Sequence, residues 1–218
     1  MTSEVFNTDC LEYMRTLPDK AFQLAIADPP YRDYNDAFSQ MRDSANRKRK
    51  VLFGQAGRPT EEFFVELQRI SEAQIIFGAN NFGFDFQGFI AWDKMVRGSD
   101  RYSQVEIASL SDNLSTVSTL VQISTYQTEE KIHPTQKPTE LYAWLLRKYA
   151  AEGDRIFDPM MGSQSSRIAA YKLGFDYVGC ELDKEYFDKG CERFNRECKG
   201  EIKTADGHII KQTTLFDL

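Results

Sequence analysis

Short apolar runs alternate along this chain with stretches whose apolar residues recur at helical spacing, the pattern of an α/β fold. Ser3-Glu4-Val5-Phe6 reads as an edge-like strand, after which Leu11, Met14 and Leu17 mark a helix that Pro18 stops. Phe22-Gln23-Leu24-Ala25-Ile26-Ala27 is apolar enough for a buried strand. Phe63, Leu67 and Ile70 define one face of a helix, with Thr60 as N-cap and Glu61 and Glu62 at its positive end. Residues 73–77 and 88–92 are the next strands. From 93 to 131 the chain is polar and Ser/Thr-rich, with strand candidates at 105–109 and 120–124, and reads as an insertion rather than core. Pro138 suits the first turn of a helix whose apolar face is Leu141, Trp144, Leu145 and Tyr149. Residues 155–157 form a strand ending in Asp158, residues 165–173 a helix stopped by Gly174, and residues 177–180 a strand ending in Glu181. Asp183 caps a last helix with Phe187, Cys191 and Phe194 on one face. The pattern predicts one domain over residues 1–205 with a mainly parallel sheet covered on both sides. Residues 32–59 form a loop insertion without periodicity, and residues 206–218 a flexible tail.

With 218 residues, 41% of them apolar, the chain is long enough to bury one sizeable core. No apolar run approaches the length of a membrane span and the N-terminus lacks a signal pattern, so a cytoplasmic protein is expected. Cys10, Cys180, Cys191 and Cys198 form no Cys-x-x-Cys pair and read as reduced thiols, and two histidines are too few for a His-based metal centre. The net charge is −6, yet Arg42, Arg47, Lys48, Arg49, Lys50 and Arg58 crowd one stretch that holds a single acid, Asp43. Such a stripe on an acidic protein either meets a phosphate backbone or is a solvated loop.

Two sites carry chemistry. Asp28-Pro29-Pro30-Tyr31 follows the buried strand, and its prolines end that strand because neither can donate to a neighbour. The result is a carboxylate, carbonyls and an aromatic ring at a strand's C-terminal edge, an arrangement suited to a planar amino group. The alternative is a rigid turn with a capping Asp. The second site runs from Arg155 to Glu181. A strand delivers Asp158, Pro159-Met160-Met161-Gly162-Ser163-Gln164 gives ligand access to backbone at a helix start, and Glu181 follows 19 residues after Gly162, where an acid can take ribose hydroxyls. The alternative there is a structural turn with a solvated strand-end charge. The absence of Gly-x-x-x-x-Gly-Lys-Ser/Thr disfavours a phosphate-cradling NTPase.

Taken together, Asp-Pro-Pro-Tyr, then His133-Pro134-Thr135-Gln136-Lys137-Pro138, then Asp-Pro-Met-Met-Gly-Ser resemble the amino-group DNA methyltransferases of the β arrangement. The resemblance spans roughly residues 5–197 and implies a circularly permuted Rossmann-like fold that uses S-adenosylmethionine to methylate adenine N6 of a flipped base. It implies Asp28, Pro29, Pro30 and Tyr31 as the catalytic turn. It implies Asp158, Met160, Gly162, Ser163 and Glu181 around the cofactor's methionine and ribose, Asp9 and Cys10 at its adenine, and Thr135, Gln136 and Lys137 over its carboxylate. Met160 stands where the family has Phe, and Gln164 where it has Gly, which puts a side chain where backbone approaches ligand. The basic residues 42–58, with Arg97 and Arg101 in the 93–131 segment, are expected to bind double-stranded DNA, that segment being the sequence reader. A reader so short implies a short target or a homodimer. No metal is required. Cytosine-N4 methylation, or a non-catalytic DNA-binding relative, are the rival readings. In the tail, Gln212, Leu215 and Phe216 resemble a Gln-x-x-Leu-Phe peptide for the sliding clamp, or else an apolar end that folds back.

Overall fold

The computed structural model describes residues 1–31, 58–83, 86–96, 103–125, 130–203 and 208–211. Phe22–Ala27 (β2) sits inside an eight-stranded sheet, with every residue but Gln23 buried. A strand covered on both faces has this near-continuous apolar character. The other strands of that sheet are Ser3–Phe6 (β1), Ser71–Phe77 (β3), Gly88–Asp93 (β4), Val105–Leu110 (β5), Thr119–Gln122 (β6), Arg155–Asp158 (β7) and Asp176–Cys180 (β8), in the order β1-β8-β7-β2-β3-β5-β4-β6. From β1 through β3 all neighbours run parallel, whereas β5 is antiparallel to both β3 and β4.

The helices are Cys10–Arg15 (α1), Glu61–Ile70 (α2), Thr139–Tyr149 (α3), Ser165–Leu173 (α4) and Lys184–Lys199 (α5). They divide the core into two layers. Met14, Phe63, Phe64 and Leu67 of α1 and α2 bury against Ala25, Ile76, Phe157 and Val178 on one face. Leu141, Leu145 and Leu146 of α3, with Ala169 and Ala170 of α4, bury against Leu24, Ile75, Trp92 and Ile156 on the other. Asp183 caps α5 by accepting from the amides of Glu185 and Tyr186.

Four expectations change. Residues 93–131 are not an insertion outside the core: β5 lies between β3 and β4 with Ala108 and Leu110 fully buried. Its polar composition misleads because the hydroxyls bond backbone, Ser109 Oγ accepting from Phe86 N and Ser111 Oγ from Gln74 N. Thr60 is the N-cap of α2 as expected, whereas Pro138 stands at the N-cap of α3 rather than in its first turn. The buried positions of α5 are Tyr186, Gly190, Arg193 and Phe194, a face rotated from the Phe187–Cys191 line because Arg193 turns inward. Ile209–Lys211 (β10) pairs with Glu201–Lys203 (β9) inside the stretch expected as tail.

Candidate active site

The chain leaves β7 and β2, which are neighbours, in opposite directions. β7 is followed through α4 by β8 on one side, and β2 through α2 by β3 on the other. Such a reversal opens a crevice beyond the strands' carboxyl ends, where open α/β sheets take ligands. The parallel register sets Leu24 opposite Ile156 and Ala25 opposite Phe157, so both motif-bearing corners reach the same rim.

On the β2 side, Asp28 keeps both carboxylate oxygens engaged. Tyr31 Oη donates to Oδ1 at 2.9 Å, and Lys137 Nζ lies 2.5 Å from Oδ2. Lys137 also lies 3.2 Å from Glu106 Oε2, and Lys94 pairs with the other Glu106 oxygen. Charges therefore alternate along Asp28, Lys137, Glu106 and Lys94, drawn from β2, the segment before α3, β5 and the end of β4. Burial disfavours the Lys137 ammonium, but Asp28 and Glu106 outweigh it and hold its pKa above the usual lysine range. Burial likewise opposes ionisation of Glu106, which Lys137 and Lys94 nonetheless hold below the usual carboxylate range. Burial, then the Asp28 charge, pushes the Tyr31 phenol well up, so it remains a donor. Tyr31 has room only because residue 78 is glycine: a Cβ there would lie 2.2 Å from the ring, and φ is 66°.

On the β7 side, Asp158 accepts from Met160 N at 3.0 Å and from Ser166 Oγ at 2.6 Å. Its 2% exposure lifts its pKa to about 7, an effect that these two donors partly offset and the charges of Asp28 and Glu181 reinforce. Glu181 at the end of β8 accepts from Gly162 N at 2.9 Å and Asp183 N at 2.8 Å, and burial raises its pKa. Gly162 adopts φ 49°, and the His133 ring lies 3.6 Å from where its Cβ would be. Burial and the nearby Lys137 charge hold His133 neutral, its pKa lowered to about 4. Tyr186, ring to ring with His133 at 4.3 Å, has a buried hydroxyl without a hydrogen-bond partner among the described residues.

The Gln164 side chain does not enter this crevice. It is fully buried against α5, with Nε2 donating to Phe187 O and Oε1 accepting from Arg167 Nη1, in space that Gly190 leaves open. Ser163 is buried in the same loop. Asp9 caps α1 through Oδ1, and Cys10 beside it is buried, its thiol pushed up to about 12 by that burial and by Asp9. Thr135 Oγ1 lies 3.1 Å from His133 Nδ1, and Gln136 ties its loop together through Ile132 N and Glu130 O. Of the basic residues, Arg58 is exposed, donates to Asn81 O and lies 5.5 Å over Phe82. Arg42, Arg47, Lys48, Arg49, Lys50, Arg97 and Arg101 lie outside the described residues, as do Gln212, Leu215 and Phe216. Among the described residues, no group of three or more His, Cys, Asp or Glu is arranged to hold a metal ion, and no helix is long and apolar enough to cross a membrane. Sequence reasoning passed over Glu106 and Lys94, both in the segment read as an insertion. The isolated acid between Val105 and Ile107 was the available signal.

This architecture is the fold of the S-adenosylmethionine-dependent DNA methyltransferases. It is similar to TTHA0409 from Thermus thermophilus solved with S-adenosyl-L-methionine, with TM-score 0.60 and 17% identity over 91% of this chain and 96% of that one. It is also similar to the cytosine-N4-specific PvuII DNA methyltransferase, with TM-score 0.59 and 14% identity over 93% and 95% of the two chains. Residues 99–192 match the family model described as DNA methylase. A 70-residue stretch is 36% identical to the type II methyltransferase M.HpaI of Haemophilus parainfluenzae, covering 32% of this chain and 22% of that protein. Over residues 99–192, less than half of its length, the chain is similar to the DNA methylases. It aligns with less than a quarter of the length of the curated relatives it matches.

Proposed function

We propose that this protein transfers a methyl group from S-adenosylmethionine to the N6 amine of adenine in DNA. The observation that carries the reading is the meeting of the Asp28 corner and the Asp158–Gly162 loop on neighbouring parallel strands at the switch point. The β7 corner fits the cofactor. Glu181 is a half-buried carboxylate aimed by two loop amides, Gly162 keeps backbone bare of Cβ, and the Tyr186 hydroxyl is without a described partner. Asp158, Met160, Gly162, Ser163 and Glu181 would hold it, with Asp9, Cys10, Thr135 and Gln136 at the margins. When bound, S-adenosylmethionine supplies an electrophilic methyl group.

The chain's part is to make a poor nucleophile competent. An exocyclic amine delocalises its lone pair into the ring. Hydrogen bonds from its two N–H groups to Asp28 and the Pro29 carbonyl localise that pair, and Pro29 and Pro30 keep the turn rigid. Tyr31 offers the extruded base a ring to stack on, worth about 1–3 kcal/mol. Lys137 holds Asp28 in place. The basic residues 42–58, with Arg97 and Arg101, would meet the phosphates, and their neutralisation is expected to flatten the salt dependence of DNA affinity. A homodimer and a clamp contact through Gln212, Leu215 and Phe216 are further readings of the sequence.

A second reading, cytosine N4, is favoured by the likeness to PvuII methyltransferase. Asp rather than Ser before Pro-Pro-Tyr favours adenine. Mass spectrometry of nucleosides from DNA incubated with the protein and S-adenosylmethionine separates them. N6-methyladenine supports the proposal, N4-methylcytosine supports the second reading, and neither product refutes both.

A further inference from the structure

Arg193 of α5 has 0% exposure, yet its guanidinium carries a full charge. Nε donates to Glu197 Oε1 at 2.7 Å, Nη1 to Ser163 O at 3.1 Å and to Ser165 Oγ at 2.9 Å, and Nη2 to Thr139 Oγ1 at 3.1 Å. Apart from Glu197, which is on α5 itself, these acceptors belong to two segments far apart in the chain. Ser163 and Ser165 are the Gly162 loop as it enters α4. Thr139 is the first residue of α3, two residues beyond Lys137.

Stability alone does not account for this arrangement. A buried ion pair is often no more stabilising than apolar side chains of the same volume. A planar fork with several fixed donors does what an apolar residue cannot: it sets the distance between the groups it bridges. The bridge is contiguous with the β2 corner. From Ser163 and Ser165 it runs through Arg193 to Thr139, across Pro138 to Lys137, whose ammonium touches Asp28. The ring of His133, in the same segment, lies 3.6 Å from where a Cβ on Gly162 would be.

We infer that Arg193 is a positioning residue that couples the Gly162 loop to the Lys137–Asp28 pair, so that order in one segment sets the geometry of the other. The inference deepens the methyltransferase reading, and its affinity arm rests on that reading. Its exchange arm does not.

The test is a double-mutant cycle on the full chain with Thr139→Val and Ser165→Ala, which remove one acceptor from each segment while keeping volume nearly constant. In hydrogen–deuterium exchange, Ser165→Ala is expected to speed exchange in residues 132–141 as well as in 159–166, while β3 and β5 are unchanged. In calorimetry each single substitution is expected to weaken S-adenosylmethionine about fivefold. The double substitution is expected to weaken it by clearly less than the product, because the second cut falls on a bridge already broken. Arg193→Met is expected to make both substitutions silent. If that variant fails to fold by circular dichroism, the cycle in the Arg193 chain still decides. Exchange confined to the segment mutated, or effects that multiply within twofold, overturns the coupling. A wild type that binds no S-adenosylmethionine overturns the functional reading instead, and the exchange result then judges the coupling by itself.

Discussion

Lys137 Nζ sits 2.5 Å from Asp28 Oδ2, joining the two halves of the chain at the sheet's rim. The Lys137 side chain is 5% exposed and shares its charge with Glu106, so the carboxylate proposed to grip the amine is held by a buried cation rather than by solvent.

Lys137→Met therefore leaves two part-buried carboxylates facing each other without their shared cation. Breaking such a pair from one side costs about 3–5 kcal/mol. A melting temperature lower by about 6–20 °C is expected, together with loss of methyl transfer. If melting is unchanged and only the KM for S-adenosylmethionine rises, Lys137 serves the cofactor instead of Asp28.

Glu106→Gln keeps the shape and removes the charge that draws Lys137 away from Asp28. The whole ammonium charge then falls on Asp28, which becomes a poorer acceptor for the amine hydrogens. A fall in kcat of about 10- to 100-fold is expected with KM for S-adenosylmethionine within about threefold, and partial recovery in Glu106→Asp. Steady-state kinetics on duplex DNA check this.

Gly78→Ala puts a methyl group 2.2 Å from the Tyr31 ring at a residue with φ 66°. Strain of about 1 kcal/mol follows from the left-handed backbone alone. The larger effect is displacement of Tyr31 from Asp28. Methyl transfer is expected to fall at least about tenfold, while affinity for S-adenosylmethionine, measured by calorimetry, stays near wild type.

Asp158 titrates near 7 in the folded protein because it is buried, against a usual value of 3.8. Its folded pKa lies above its unfolded one, so the native state disfavours ionisation as pH rises. Asp158→Asn carries no such penalty. Its stability advantage over wild type is expected to be small near pH 4, to grow to on the order of a few kcal/mol by pH 7, and to level off above. Thermal melts between pH 4 and 8 measure it, and an advantage that shrinks with rising pH contradicts the assignment.

The parallel half of the sheet was legible because its strands are apolar runs bounded by Pro, Gly and capping Asp. Phe22–Ala27, Asp158 and Glu181 stand where those signals put them. The mixed half was not. Ser109 and Ser111 look like loop residues in sequence, but their hydroxyls bond to backbone inside the sheet. Glu106 and Lys94 were hidden for a related reason: an acid between Val105 and Ile107 is a weak local signal, and its pairing with Lys94 and Lys137 emerges only once strand order is known. Gln164 shows the opposite limit. Its side chain leaves the crevice because Gly190 lies on the facing helix, a compensation between residues far apart that local reading cannot supply.

The central claim is that Asp28 makes the amine reactive while the β7 corner holds the methyl donor. Its most direct measurement is transfer of tritium from labelled S-adenosylmethionine to DNA by Asp28→Ala, with cofactor affinity measured on the same preparation. Loss of transfer with affinity within about threefold of wild type is the expected result. Full transfer by Asp28→Ala contradicts the account.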